Sequence, residues 1–457
     1  MIKYRQQSEE RTLKNYHFEV AIIGGGVTGL ALAHVLSRFT GIKKVLLIEK
    51  NWWVAEVNSH PLNNAQTSHD GSTETNYSLE HALQVKAAAT ALRRYVDSKG
   101  DPLLSQKVKR MVIAINEKEI EKLLKRYREF KVHYPDLWLK SGLELARIEP
   151  NLMIGRYLKD PIWAMGSDEG YVVNYQKLAE YFMFDARYNN PEFTYFLSTP
   201  LKSICRTGNI YTLETSQGIC TADVVVFAAG SYSLFFAQKL GYGLNYGILS
   251  VAGSFYSAGH LLDNKIYRMQ VEGRPFAEIH GDPDILNMND TRFGPTTKPL
   301  PLMERHHNET FKDYMQLPLA STLRGVASVL KILWKQRLMW YVFKNALFDI
   351  PVIGKALFLL EARKIVPTLR YGDLKLRKHA GGVRPQLVDL ETGELEIGDA
   401  SLVGDNIIFN TTPSPGASVC LGNAHRDAIR IVDFLNKMGR NYHFDEEQFQ
   451  KELGKKS

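Results

Sequence analysis

Six consecutive residues, Gly24-Gly25-Gly26-Val27-Thr28-Gly29, restrict this chain more than any others. They fit G-x-G-x-x-G and lie where an apolar stretch, Phe18 to Ile23, meets an Ala- and Leu-rich stretch, Val27 to Arg38. That order predicts a strand, a tight turn and a helix. Gly24 permits the turn, Gly26 lets the backbone approach a pyrophosphate, and Gly29 lets the helix pack closely on the strand. The helix N-terminus offers unbonded N–H groups and partial positive charge to phosphates. A second apolar strand, Lys44 to Ile48, closes on Glu49, whose carboxylate suits ribose hydroxyls. Such a strand–helix–strand unit runs to about 30 residues in dinucleotide-binding proteins. The motif alone does not separate FAD from NAD.

The chain has 457 residues, more than one hydrophobic core usually serves, so two domains are expected. A net charge of +8 suits nucleic acid, an anionic membrane surface, or merely a solvated surface rich in Lys. The three cysteines, Cys205, Cys220 and Cys420, show no CxxC spacing. That argues against a disulfide framework or a metal site and for a reducing compartment. Met1 to His17 lacks the apolar core of a signal peptide, and no apolar run reaches spanning length.

Further along, Leu79 to Lys131 reads as helical, interrupted by a strand at Met111 to Asn116. Strands are expected at Phe193 to Leu197, Ile210 to Thr215 and Asp223 to Ala228, and a β-rich region from Gly247 to Thr296. Leu317 to Leu369 reads as helical and basic. A strand at Asn406 to Asn410 and a helix from Val419 to Asn436 close the pattern and could dock back on the first sheet.

Four further segments carry groups suited to chemistry. The strand Asp223 to Ala228 ends in Ala229 and Gly230, small enough for a ring system to lie against the backbone. In Thr412-Pro413-Ser414-Pro415-Gly416-Ala417-Ser418, Gly416 permits close approach, and the helix that follows aims its N-terminus above the sheet edge. The polar loop Asn63 to Gly71 contains Thr67 and His69, while His280 stands in His-Gly-Asp-Pro-Asp. Either histidine suits proton transfer, and either could be structural. Arg384, in Gly-Val-Arg-Pro-Gln, suits a substrate carboxylate because its planar fork binds two oxygens; a structural ion pair is the plain alternative.

Together GGGVTG with Glu49, NNAQTSHDGSTETNY, VVVFAAGSYS, VAGSFY, HGDPD, GPT, GVRPQ and NTTPSPGASVCLGNA occur in the order seen in malate:quinone oxidoreductases. The chain resembles that family from about Glu19 to Asp433, and resembles L-2-hydroxyglutarate dehydrogenases more loosely. The resemblance implies FAD as cofactor, L-malate as substrate and a membrane quinone as electron acceptor. It implies an α/β fold in two parts: a doubly wound FAD-binding domain and a mixed-sheet substrate domain. Residues 18–100, 165–235 and 375–440 are assigned to the first and 101–164 and 236–374 to the second. Residues 1–17 and 441–457 are an N-terminal extension and a C-terminal tail.

Expected FAD contacts are Gly24, Gly26, Gly29 and Glu49 at the first turn, Thr67 in the polar loop, and Ala229 and Gly230 after the inner strand. Pro415, Gly416 and Ala417 complete them. His280 is the expected base, with His69 as a flavin-side contact or the alternative base. Arg384 and Tyr256 are the expected substrate contacts. Many family members have NNAGTGH where this chain reads NNAQTSH, so Gln66 and Ser68 replace glycines and alter local flavin contacts. A quinone partner also requires reach to lipid. Between Asp313 and Asp349 there is no acidic residue, and Leu323 to Leu360 mixes Lys and Arg with Trp, Tyr and Leu. That composition suits attachment to an anionic membrane surface. A cytoplasmic protein, peripheral on the inner face of the membrane, is expected. A flavin-bound nucleic-acid-binding protein would need clustered basic residues with exposed aromatics. Only Leu323 to Lys344 offers them, and there the membrane reading is preferred, so no nucleic acid is expected.

Overall fold

Strand β1 (Tyr16–Ile23) is buried from Phe18 onward, which suits a strand covered on both faces. It pairs in parallel with β2 (Val45–Ile48) on one side and with Gly218–Phe227 on the other. Helix α1 (Val27–Phe39) makes the crossover between β1 and β2. The computed structural model describes residues 13, 16–157, 160–270, 278–318, 322, 327, 347–348, 350, 352–395, 401–411 and 415–454. Thr194–Phe196 extends the sheet beyond β2, and Ile407–Asn410 joins beside Gly218–Phe227, both in parallel. The C-terminal strand therefore returns to the first sheet. Buried α1 residues such as Leu30, Ala33 and Leu36 share one apolar core with the helices Tyr175–Asn189 and Cys420–Lys437. A second core, with Phe227, Phe235 and Met303, covers the opposite face.

Two further sheets form the other part. One orders Lys298–Pro299, Tyr246–Ala252, Val383–Asp389 and Glu394–Leu395. The other has eight strands and includes β3 (Ser105–Ala114), which runs parallel to Lys265–Arg268 and antiparallel to Trp163–Val173. This is the mixed sheet expected. Two assignments differ at the level of strands. Trp163–Val173 belongs to this sheet although residues from 165 were assigned to the FAD-binding part. Val383–Asp389 pairs with Tyr246–Ala252, although residues 375–440 were assigned there too. The expected strand at Met111 to Asn116 starts earlier, at Ser105, because Trp163–Val173 pairs with it all the way from Ser105 to Ala114. Of the Leu323–Leu360 segment, the stretches 323–326, 328–346, 349 and 351 lie outside the described residues. A helix at Ile353–Ala362 follows them.

Candidate active site

A cleft of about 480 Å³ opens between the first sheet, the polar loop and the strand Val383–Asp389 of the four-stranded sheet. Its floor is the glycine turn. Gly24 adopts φ +113, and a Cβ there would lie 2.4 Å from the Ala228 carbonyl oxygen. A Cβ on Gly29 would lie 2.0 Å from the Gly24 oxygen, so this glycine lets α1 meet the strand and does not itself line the cleft. A Cβ on Gly26 would meet only Ser59 Oγ, at 3.4 Å, and otherwise enter open space. Gly26 also caps α1 with no side-chain bond and no acidic residue in the first turn, which leaves positive N–H groups facing the cleft.

Glu49 accepts from the Gly25 amide at 2.7 Å through one oxygen and from the Asn51 amide at 2.8 Å through the other. Burial raises its pKa above the ordinary carboxylate value, against the pull of those two amides. The Asn51 side-chain amide also donates to Oε1, at 2.9 Å, so the oxygen that meets Gly25 is the one that keeps a lone pair for a ribose hydroxyl. Ala229 and Gly230 line the adjoining wall, and Gly230 takes φ +58. Pro415, Gly416 and Ala417 line the cleft next to the helix at Cys420–Lys437. Ser59 Oγ takes the Val27 amide at 3.1 Å, and the rest of the helix start, a carboxylate and small-residue walls around one cleft fit a bound dinucleotide.

The polar loop forms the opposite wall and is held from several directions. Tyr175 donates to the Thr67 carbonyl at 2.6 Å, and Ser418 Oγ donates to it at 3.1 Å while accepting from the His69 amide at 2.9 Å. Thr67 Oγ lies 2.7 Å from the Tyr267 hydroxyl. His69 lines the cleft, with Nδ1 2.6 Å from Glu74 Oε1. Gln66 takes φ +51, a conformation that glycine adopts more readily. Its buried amide donates to the Pro61 carbonyl and to Asp284 Oδ1, and accepts from the Ile285 amide. The replaced glycine is thus compensated by bonds to the hairpin that bears His280. Ser68 is buried, and its carbonyl accepts from Arg110 at 2.8 Å.

Arg384 lines the cleft from the strand Val383–Asp389. His280 does not line it. This histidine is 3% exposed and packs against Tyr267, whose ring centre is 5.1 Å from that of His280 and 6.4 Å from that of His69. Burial depresses the His280 imidazole to about 3, so the ring is neutral at pH 7. It faces Asp282, which pairs with Lys265 at 3.1 Å and lies 3.7 Å from Arg292. Tyr256 corrects another expectation. Its ring stacks on Phe358 at 4.3 Å in the core behind the eight-stranded sheet. It is not among the residues that line the cleft. The sequence reading passed over Glu74, Tyr267, Ser59 and Ser418. Glu74 and Ser418 stand inside motifs already singled out, whereas nothing local marks Tyr267 as a neighbour of Thr67.

A family model described as FAD dependent oxidoreductase matches residues 19–425. The chain is 36% identical to a probable malate:quinone oxidoreductase of Campylobacter jejuni over 96% of this chain and 100% of that protein. It is also 36% identical to the malate:quinone oxidoreductase of Helicobacter pylori strain J99, over 95% of this chain and 98% of the relative. Among solved structures, FAD-bound L-alpha-glycerophosphate oxidase of Mycoplasma pneumoniae superposes with a TM-score of 0.64 at 17% identity, covering 91% of this chain and 95% of that one. Glycine oxidase of Geobacillus kaustophilus gives 0.61 at 17% identity, over 95% and 98% of the two chains. These two likenesses speak for the fold alone. The glycine turn, Glu49 and the near full-length identity agree: the chain belongs to the FAD dependent oxidoreductases and, within them, to the malate:quinone oxidoreductase family.

Proposed function

We propose that this protein oxidises L-malate at C2 to oxaloacetate and passes the electrons to a membrane quinone. FAD, bound along the glycine turn, supplies the two-electron acceptor. The observation that carries the reading is the pairing of two walls across one cleft: a dinucleotide-binding turn on one, and on the other an imidazole held by a carboxylate beside a guanidinium. Arg384 binds a substrate carboxylate and fixes the C2 hydrogen toward the acceptor. His69, and not His280, takes the hydroxyl proton, because His69 lines the cleft and His280 is buried and does not. The C–H electron pair leaves as hydride, the O–H proton goes to the imidazole, and the C2 carbonyl forms.

Anaerobic flavin bleaching tests both substrate and clamp. L-Malate should reduce the bound flavin, and L-2-hydroxyglutarate should do so much more slowly. Arg384→Lys should retain FAD but lose about 10-fold or more in reduction rate per substrate concentration, because Lys cannot form the bidentate fork. Equal bleaching by both acids would overturn the choice of L-malate. Wild-type malate kinetics in Arg384→Lys would remove the clamp.

The membrane side of the reading rests on surface chemistry. Among the described residues no helix is long and apolar enough to cross a membrane. Helix Ile353–Ala362 nevertheless exposes Ile353 and Leu360, with exposed Val352 before it. The basic, aromatic stretch from Leu323 precedes it in sequence. Basic residues draw in anionic headgroups while apolar side chains enter the interface. A variant with Lys331→Glu, Lys335→Glu and Arg337→Glu should sediment with anionic vesicles less than wild type at low salt. Equal binding by both proteins at low and high salt would rule this surface out as the anchor.

A further inference from the structure

We propose that Glu74 is a positioning residue: it holds the His69 ring so that Nε2 faces the substrate hydroxyl, and it stabilises the imidazolium formed when the proton arrives. This rests on the reading of His69 as the base. Glu74 Oε1 lies 2.6 Å from His69 Nδ1, with the carboxylate side chain 7% exposed and the imidazole 20% exposed. Because a carboxylate only accepts, Nδ1 must carry the proton, and the lone pair is left on Nε2, at the far edge of the ring. That edge is the one available to the cleft that His69 lines. A buried carboxylate on one imidazole nitrogen and a reacting hydroxyl at the other is the arrangement of a general base with its orienting group.

The surroundings make this carboxylate specific to His69. Its second oxygen, Oε2, is buried and makes no hydrogen bond among the described residues. Arg126, from the helix Glu117–Lys131, donates to the Glu74 backbone carbonyl at 2.7 Å. Arg110, from β3, pairs instead with Asp70, which Arg93 also binds at 2.7 Å. Burial would raise the Glu74 carboxyl, but the bond from His69, the charge of a protonated His69 and the charge of Arg110 outweigh that and lower it. The groups facing the pair from neighbouring elements are Asp70, Arg110, Arg126, Tyr77, Tyr134 and Tyr267. The tyrosines are all raised well above their ordinary value, chiefly by burial, and none titrates in the working range.

The test is anaerobic stopped-flow reduction of the holoenzyme by L-malate across pH, with Glu74→Gln, Glu74→Asp, His69→Gln and the Glu74→Gln/His69→Gln double variant. Glu74→Gln should slow reduction by about 10²-fold or more, the scale seen when a base loses its orienting carboxylate. The double variant should be no slower than His69→Gln alone, since Glu74 acts only through that ring. Should Glu74→Gln fail to hold FAD, Glu74→Asp decides: it should be slowed at least about tenfold while FAD stays bound. Wild-type rates in the Glu74 variants, or losses that multiply in the double variant, would overturn the role of Glu74. Wild-type reduction by His69→Gln would instead overturn the reading of His69 as base.

Discussion

Gly26→Val should fold and purify without its yellow colour. The three glycines of the turn differ in what a side chain would strike. At Gly24 and Gly29 a Cβ runs into backbone, at 2.4 Å and 2.0 Å, and a substitution there must move the strand or the helix. At Gly26 the backbone lies at φ −73 and ψ 176, extended geometry that valine adopts readily, and the only near atom is Ser59 Oγ. The valine methyl groups would then occupy the space over the N-terminus of α1 that a pyrophosphate needs. Thermal unfolding should match that of wild-type apoprotein, because both lack the stabilisation that bound cofactor gives by mass action. Circular dichroism reports the fold, and visible absorbance per protein reports the flavin. A folded Gly26→Val protein with a full flavin spectrum would place the cofactor elsewhere.

Asp70→Asn should cost about 3–5 kcal/mol of stability at neutral pH, the usual consequence of removing one partner from a buried ion pair. The Arg110 side chain has no solvent exposure and pairs with Asp70 directly. Arg93 Nη2 binds the other Asp70 oxygen at 2.7 Å, and Ser72 donates its amide and hydroxyl to Oδ1. An asparagine fills the same space but leaves the buried Arg110 guanidinium without the carboxylate that it pairs with directly. Burial alone would raise the Asp70 carboxyl; Arg110 and Arg93 reverse that and hold it well below the ordinary range. A carboxyl lowered in the folded state gives stability that is complete above its unfolded value, about 3.9, and lost as pH falls from there toward the folded value. Wild-type stability should therefore fall on acidification below about pH 4 by a component that Asp70→Asn lacks. Urea unfolding of both proteins at pH 7 and in that acid range measures it. A change under 1 kcal/mol at pH 7 would mean the cluster relaxes around the lost charge. The effect reaches the site because Arg110 also donates to the carbonyl of Ser68, next to His69.

Local pattern went far in this chain. The apolar run before GGGVTG, the Ala- and Leu-rich run after it and the strand ending at Glu49 are written within about 30 residues, the range over which periodicity and glycine placement act. Those residues do form β1, α1 and β2, and the strand expected at Ile210 to Thr215 spans those same residues. The return of Asn406–Asn410 to the first sheet was also legible, because the apolar strand and the following helix repeat the opening pattern.

What the sequence left open was settled by pairings distant in the chain. Alternation says that successive strand residues face opposite sides, but not which side meets the cleft. Tyr256 faces the back of its sheet, where Phe358 covers it, and no residue near it in sequence reveals that. His280 and His69 were interchangeable as isolated histidines. The tertiary structure tells them apart: His69 lines the cleft, whereas His280 is buried and does not. The sequence by itself determined the dinucleotide turn and the residue types of the opposite wall. The tertiary structure decided which of those side chains share a solvent-reaching space, because burial and mutual distance arise only when strands far apart in the chain are laid side by side.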